Sequence, residues 1–211
     1  MGRIKKKGSI GSISGAVNDV VISDWNGIAV VRSLPKPSSK PASTAQQEQQ
    51  SKMAMAVNFA VAVKKVLTVG YKSYAVRMSG YNAGVRDVLN YAITGDSPNY
   101  RIDYAKVLVS RGRLHSESNE AVKAEAGQVV FTWAYEADPE IAANDKALLV
   151  VYCEALNQCL YTLKGADRST GTASIAAARF KGQEVHTWLA FISADGKQTS
   201  PSKYTGVVTV T

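Results

Sequence analysis

Cysteine and histidine are scarce in this chain of 211 residues, and long apolar runs are absent. Two cysteines, Cys153 and Cys159, are too few for a disulfide-stapled scaffold; they could face each other across a tight hairpin or remain free thiols in a reducing compartment. A metal site is not indicated, because four ligands are needed and only His115 and His186 could join the cysteines. No apolar run approaches the roughly 20 residues needed to cross a bilayer, so we expect no membrane partner.

The sequence also lacks the patterns of a targeting segment, a nucleotide-binding loop and a catalytic site. The basic opening at residues 1–8 is followed by a Gly/Ser-broken stretch, so we expect no conventional signal peptide and a location in a virion or the cytoplasm. The glycines of residues 8–15 lack the Gly-Lys-Ser/Thr ending of a phosphate-binding loop. No Ser or Cys lies in a nucleophile-elbow pattern, which predicts a non-enzymatic protein with no catalytic residue and no cofactor.

What the sequence has in excess is positive charge, and that charge is unevenly spread. The net charge is +8, with 17 basic and 6 acidic side chains in residues 1–113 but 8 basic and 11 acidic side chains in residues 114–211. Such a positive end is typical of a surface that meets nucleic acid, an anionic surface or an acidic neighbour in an assembly. A solvated basic face with no dedicated partner is the alternative.

Residues 1–40 are predicted to form a basic, glycine-rich β-hairpin arm followed by a Pro/Ser linker. Apolar runs at 16–23 and 28–34 flank an Asp-Trp-Asn-Gly sequence, and Asn-Gly between such runs predicts a tight hairpin turn. Three prolines between residues 33 and 41 predict an extended connector. Because a two-stranded ribbon is marginally stable alone, we expect the arm to lie against its own globular body or against another chain.

Residues 41–98 are predicted to form a helical hairpin. Ser43 and Gln46 make a capping-box pattern, and the helix that follows is expected to run to about Thr68. Its predicted apolar seam consists of Met53, Ala56, Ala60, Val63 and Leu67. A second helix is predicted over residues 82–93, with Gly95 just past its end. The stretch between the helices, residues 71–81, mixes tyrosine with arginine and could contact a partner.

Residues 99–211 change to the two-residue period of β-strands. Seven short runs rich in Val, Tyr, Phe, Thr and Trp lie at 100–109, 128–135, 147–154, 159–163, 173–180, 184–193 and 204–210. That number and spacing predict an antiparallel β-sandwich. In the second run Val129, Phe131 and Trp133 alternate with other residues, so one face is expected to enter the core. The predicted fold class is therefore α+β, mainly β.

Several segments resemble a bacterial family of domains of unknown function. The resemblance rests on residues 41–52 (PASTAQQEQQSK), 90–95 (NYAITG), 98–100 (PNY) and 107–112 (VLVSRG). It implies a glycine-rich arm with a Trp hairpin, a Gln-bearing helix and a C-terminal immunoglobulin-like or fibronectin type III-like sandwich. Where the family commonly has arginine, this chain has Ala42 and Gln50, so no role of those arginines is carried over. The helix start at 41–46 is also similar to segments of phage structural proteins.

These features lead to the hypothesis of a non-enzymatic structural protein that docks by its arm and displays a sandwich, most concretely a phage or prophage virion component. Its partners would be proteins of an assembly, with nucleic acid possible through the basic half. The alternative is a bacterial module that binds nucleic acid or a surface glycan. The residues predicted to contact the partner are Lys5, Lys6, Lys7, Val20, Trp25, Val30 and Arg32.

Overall fold

The computed structural model describes residues 2–3, 14–25, 28–36, 40–116, 118–136 and 141–211. The chain divides into two compact units, Met1–Ser43 and Thr44–Thr211. The described residues of the smaller unit form a β-sheet, and residues 34–36 and 40–43 after it belong to no helix or strand. The larger unit combines helices with a β-sandwich.

The smaller unit is a four-stranded antiparallel sheet in the order β1-β4-β3-β2. Its strands are β1 (Gly2–Arg3), β2 (Gly15–Val17), β3 (Val20–Trp25) and β4 (Ile28–Ser33). The predicted hairpin is present, since Trp25 pairs with Ile28, although the Asn-Gly turn itself lies outside the described residues. The predicted strand 16–23 is instead divided by a turn, because Asn18 adopts a left-handed backbone with φ of 51° and Val17 pairs with Val20.

The helical part of the larger unit comprises α1 (Thr44–Ala62), α2 (Lys64–Gly70) and α3 (Gly80–Asp87), the last continued by a π-helical turn over Val88–Ala92. The prediction of one continuous helix to about Thr68 is wrong, because α1 and α2 meet at an angle of 87°. The bend at Val63 lets the apolar side chains of both segments turn inward, with Val66 and Leu67 fully buried. Tertiary packing thus overrides a pattern that is helical throughout.

Seven strands form the sandwich of the larger unit. They are β7 (Ser118–Glu125), β8 (Gln128–Ala134), β9 (Lys146–Cys153), β10 (Gln158–Thr162), β11 (Thr172–Ala176), β12 (Glu184–Ile192) and β13 (Lys203–Thr209); the short pair β5 (Ile93–Thr94) and β6 (Arg101–Ile102) lies apart from them. One sheet has the order β10-β9-β12-β13 and the other β11-β8-β7. The first, second and fifth strands therefore share one sheet, as in immunoglobulin-like and fibronectin type III-like domains. The predicted fold class is confirmed.

The first strand of the sandwich is not the one that the sequence predicted. Most of the run 100–109 is irregular, because β6 is followed by a 3-10 turn over Tyr104–Lys106. The first strand is β7, which is joined to β8 by a tight turn with positive φ at Ala126 and Gly127. Strand β7 escaped prediction because it is a polar edge strand whose Val122 is only partly buried; edge strands tolerate such composition.

The four-stranded sheet is buried on both faces, which gives the larger unit three layers. In β9, Leu149 and Val151 face the three-stranded sheet, whereas Leu148 and Val150 face the helices. Phe59 of α1 belongs to the same core as the helix-facing residues of β9. The predicted segments 41–98 and 99–211 thus share a core and form the single unit Thr44–Thr211.

Candidate functional site

The register of the N-terminal sheet decides which predicted partner-binding residues can act together. Val20 pairs with Ser33, whereas Val21 pairs with Arg32, so Val20 and Arg32 lie on opposite faces. Val30 lies on the same face as Arg32, two residues before it in β4. The predicted set therefore does not form one flat patch.

The remaining predicted residues are only partly described. Trp25 ends β3 opposite Ile28, but its side chain falls outside what the structure describes. Lys5, Lys6 and Lys7 also lie outside the described residues. Their proposed contribution stays a prediction from the sequence.

Both faces of this sheet carry apolar side chains. Val17, Val20, Ile22, Ala29 and Val31 lie on one face, and Ala16, Val21, Ile28 and Val30 lie on the other. Among the side chains described between residues 14 and 43, Val30 is the only one that is buried. Within the part of the chain that the structure describes, neither hydrophobic core contains a residue before Ala56. The described side chains of the sheet therefore leave apolar surface exposed at Val17 and Val20 and contribute to neither hydrophobic core.

A second candidate is a cleft at the edge of the helical layer of the larger unit, with a volume of about 1110 Å³. It is lined by Ser73, Tyr74, Val76, Asp87, Tyr91, Lys106, Leu108, Arg111, Gly112, Arg113, Gln198 and Pro201. Tyrosines, aliphatic side chains and cations predominate, and Asp87 is the one carboxylate among these lining residues. The cleft is thus aromatic and basic.

Asp87 anchors the charged part of this cleft. Its buried carboxylate accepts a hydrogen bond from Arg111 Nη1 at 2.8 Å and from Tyr71 Oη at 3.3 Å, and Arg86 Nη2 lies 3.3 Å away. The Arg111 guanidinium also lies 4.5 Å from the ring centroid of Tyr74. Burial and the neighbouring Asp87 charge raise the pKa of Tyr71, and the hydrogen bond to Asp87 raises the pKa of Arg111. Both donors therefore keep their protons at neutral pH.

The chain segment that carries Arg111 is fixed by hydrogen bonds from three directions. Trp188 Nε1 donates to the Val107 carbonyl at 3.0 Å, and the Val109 amide donates to Ser202 Oγ at 2.8 Å. The Arg111 amide donates to the Gly70 carbonyl at 2.9 Å. These bonds satisfy backbone groups that, in a β-strand, would pair with a neighbouring strand. They hold the segment in place, so this wall of the cleft is preorganised.

The sequence singled out the Tyr/Arg stretch 71–81 but not its partners. Tyr71 is fully buried, whereas Tyr74 and Arg77 are partly or largely exposed. The residue that could have indicated the site is Asp87, the one carboxylate in α3. A buried carboxylate needs a cation or a donor, and its partner Arg111 lies 24 residues away, a distance that sequence spacing does not reveal.

His186 lies on the helix-facing side of β12 rather than on an open outer face. Its ring stacks on Tyr104 with centroids 3.9 Å apart, and Nδ1 lies 2.9 Å from Tyr204 Oη. Nε2 is 3.8 Å from a Glu154 carboxylate oxygen. Burial lowers the pKa of His186, while Glu154 and Glu184 partly oppose that shift. The imidazole is therefore a neutral packing group at pH 7.

Arg168 and Asp145 form a buried ion pair at one end of the sandwich, with Arg168 Nη1 3.3 Å from Asp145 Oδ2. The guanidinium lies 4.2 Å from the ring centroid of Phe191, and the Arg168 carbonyl accepts a hydrogen bond from Trp133 Nε1 at 2.7 Å. Burial raises the pKa of Asp145, although the Arg168 charge opposes it. The pair links Asp145, in the loop of residues 142–145, to the aromatic side chains of the sandwich core and thereby stabilises the fold.

Three further observations bear on chemistry. Cys153 and Cys159 are free thiols, with Cys153 buried in the sandwich core. Among the described residues, no group of three or more His, Cys, Asp or Glu side chains is placed to hold a metal ion. No single helix in the described ranges has the length and apolar character to cross a membrane; α1 and α2 pass such a test only when taken together as a bent pair.

Comparison with known proteins places the chain in one family. Residues 12–206 match the model of a family of unknown function (DUF6266). No curated protein matches the chain. Among solved structures, the FN1–FN3 domains of chicken CNTN1 match with 7% identity and a TM-score of 0.34, over 47% of this chain and 33% of that chain. At this score the likeness adds nothing to the strand order, which alone carries the fold assignment.

Proposed function

This chain belongs to a family of unknown function, DUF6266, and we propose that it is a non-enzymatic interaction protein that docks onto an acidic protein surface through its N-terminal sheet. The observation that carries the proposal is the mismatch between apolar content and burial in that sheet. Val17 and Val20 remain exposed on one face, and of the described side chains between residues 14 and 43 only Val30 is buried. Apolar strands of this kind are ordinarily covered by a partner.

Charge supports an acidic partner rather than a neutral one. Residues 1–40 contain seven Lys or Arg and two Asp. Arg32 is exposed and lies on the face opposite Val17 and Val20, so the sheet offers exposed apolar side chains on one face and a cation on the other. The apolar contacts would supply most of the affinity, and the cations would supply orientation and a faster encounter.

The larger unit supports the display role. Both hydrophobic cores lie within Thr44–Thr211 among the described residues, and the smaller unit contributes to neither. The sandwich therefore has what it needs to fold when the arm is absent or engaged elsewhere. An arm that is separate from the core can bind a partner without unfolding the body.

Amide hydrogen exchange of the full chain tests the proposal. In dilute monomer we expect the amides of β3 and β4 to exchange at least about a thousandfold faster than those of β9 and β12, because the described side chains of the arm belong to neither hydrophobic core. In an assembly recovered intact, the same amides are expected to become protected. Full protection of β3 and β4 in the dilute monomer would show that the arm orders itself and would remove the basis for docking.

Deletion of residues 1–40 provides the complementary experiment. We expect the truncated chain to lose assembly with its partner. The melting temperature of the sandwich should change by less than about 2 °C, because a domain of this size loses about 2–4 °C per kcal/mol and the deletion should cost less than roughly 1 kcal/mol. A truncated chain that still assembles normally would refute the proposal.

A phage or prophage virion component is the more specific form of this proposal. It rests on the expectation from the sequence that the helix start at residues 41–46 resembles segments of phage structural proteins, a resemblance that the family match and the solved structure do not show. Capsid, portal or tail genes beside the coding gene would be the expected finding. Nucleic acid is the second candidate partner, because residues 1–113 hold 17 basic and 6 acidic side chains. A filter-binding titration of DNA across a range of salt concentrations separates nucleic acid from a protein partner. DNA affinity that falls steeply with salt would indicate phosphate contacts and favour nucleic acid.

A further inference from the structure

The cleft beside α3 has exposed apolar and aromatic walls that no other part of the larger unit covers among the described residues. Val76 is 75% exposed and Tyr91 is 63% exposed, although both are large hydrophobic side chains. Leu108 and Pro201 extend the apolar lining of the cleft. Scattered exposed hydrophobics are normal on a protein surface, but several around one concave opening mark a binding surface.

The same cleft presents cations in fixed positions. Arg111 is held by Asp87 and by the Tyr74 ring, yet its side chain remains 37% exposed. A guanidinium fixed in this way keeps further N–H groups for a carboxylate and loses little entropy when it binds one. Arg113, two residues along the same segment, is exposed and lines the same opening.

The negative charge of the lining is already compensated. Asp87 is nearly fully buried and contacts both Arg86 and Arg111, so two cations face one carboxylate. Lys106 also lines the cleft, and its ammonium pairs with Asp103, which is not among the lining residues. An approaching ligand therefore meets a net positive opening that is also lined by apolar side chains.

We propose that this cleft binds an extended acidic peptide segment of a partner protein, one that alternates carboxylates with aliphatic or aromatic side chains. The cleft volume of about 1110 Å³ exceeds what a small anion needs. The carboxylates would pair with Arg111 and Arg113, and the apolar side chains would lie against Val76 and Tyr91. The lining residues of this site all belong to the larger unit, so the proposal goes beyond the docking function proposed above.

A peptide fits these walls better than single-stranded nucleic acid. Nucleic acid would need a row of exposed aromatic faces beside a row of cations. Here one face of Tyr74 is already occupied by Arg111, and aliphatic side chains such as Val76 offer no stacking surface. Tyrosine and arginine around an apolar centre are instead typical of protein interfaces.

Selection of a displayed random dodecapeptide library against the full chain tests this assignment. We expect the enriched peptides to carry net negative charge and at least two large apolar residues. Their affinity, measured by fluorescence anisotropy, should fall at least about tenfold in Arg113→Glu and in Val76→Asp, because the first reverses a paired charge and the second removes apolar contact. Both substitutions are at exposed positions, so the fold should persist.

Matched controls are provided by two exposed residues of the sandwich that do not line the cleft. Lys181→Glu makes the same charge reversal and Val207→Asp the same polar substitution at exposed positions outside the cleft lining, and both should leave affinity within about twofold. The proposal is overturned if no peptide is enriched, if the enriched peptides are neutral or basic, or if the cleft variants behave like the controls. Tighter binding of oligo-dT of 20 nucleotides than of any selected peptide, lost in the same cleft variants, would also overturn it in favour of nucleic acid.

Discussion

Phe59→Ala tests whether the helices and the sandwich fold as one cooperative unit. Phe59 is 1% exposed, and its ring lies 5.0 Å from that of Tyr152 and 6.3 Å from that of Trp188. The side chain thus projects from α1 onto the helix-facing side of β9 and β12. Removing it would leave a cavity between two of the three layers.

The expected loss of unfolding free energy follows from the size of that cavity. Truncation of a fully buried phenylalanine to alanine destabilises a protein by about 3–5 kcal/mol. For a unit of the size of Thr44–Thr211, about 2–4 °C is lost per kcal/mol, so the melting temperature should fall by roughly 6–20 °C. Thermal unfolding followed both by circular dichroism at 222 nm and by tryptophan fluorescence should shift together, because the helices and the sheet share a core.

Met53→Ala is the matched control on the same helix. Met53 is 44% exposed, although the sequence placed it on the apolar seam, so its truncation should change stability by less than about 0.5 kcal/mol. Separate transitions in Phe59→Ala, with the helical signal lost early and the fluorescence transition unchanged, would show that the helices form a domain of their own. That result would contradict the shared core described here.

Two further predictions concern packing and pH. Gly112→Ala should destabilise the chain by roughly 1–3 kcal/mol, since an added Cβ would stand 2.0 Å from the Thr199 carbonyl oxygen; chemical denaturation measures this, and an unchanged midpoint would mean that the two backbones separate easily. Burial lowers the pKa of His186 from 6.5, so the unfolded chain binds the proton more readily. The unfolding free energy of the wild-type chain should therefore be retained above pH 6.5 and decline as the pH falls below it. The decline should be smaller in His186→Gln, whereas the control substitution His115→Gln, at an exposed position, should leave the decline as in the wild type. Identical pH profiles for all three proteins would contradict the prediction.

Local patterns were sufficient for much of the fold. The alternation of Val129, Phe131 and Trp133 correctly placed one face of β8 in the core, since a strand has a period of two. Asp195 and Gly196 form a turn between β12 and β13, with Gly196 at a φ of 70°, and an Asp-Gly pair favours such a turn locally. Turns and amphipathic strands are encoded within a few residues, which is why they can be predicted without a partner.

Non-local contacts were outside the reach of such patterns. No proline or glycine adjoins Val63, so the sequence does not predict the bend there. The bend exists because both α1 and α2 bury side chains against one sheet. The candidate cleft depends on Asp87 meeting Arg111, a contact between the end of a helix and an irregular segment. Only the packing of the whole unit brings those two residues together.

The amino-acid sequence alone determined six of the seven strands of the sandwich, the basic arm and the uneven distribution of charge. The tertiary structure decided that β9 and β12 are buried on two faces, and the register decided that Val20 and Arg32 lie on opposite faces of the arm. The physical reason is that side-chain periodicity is a property of one segment. Which face is covered, and by what, depends on every segment that competes for the same apolar surface.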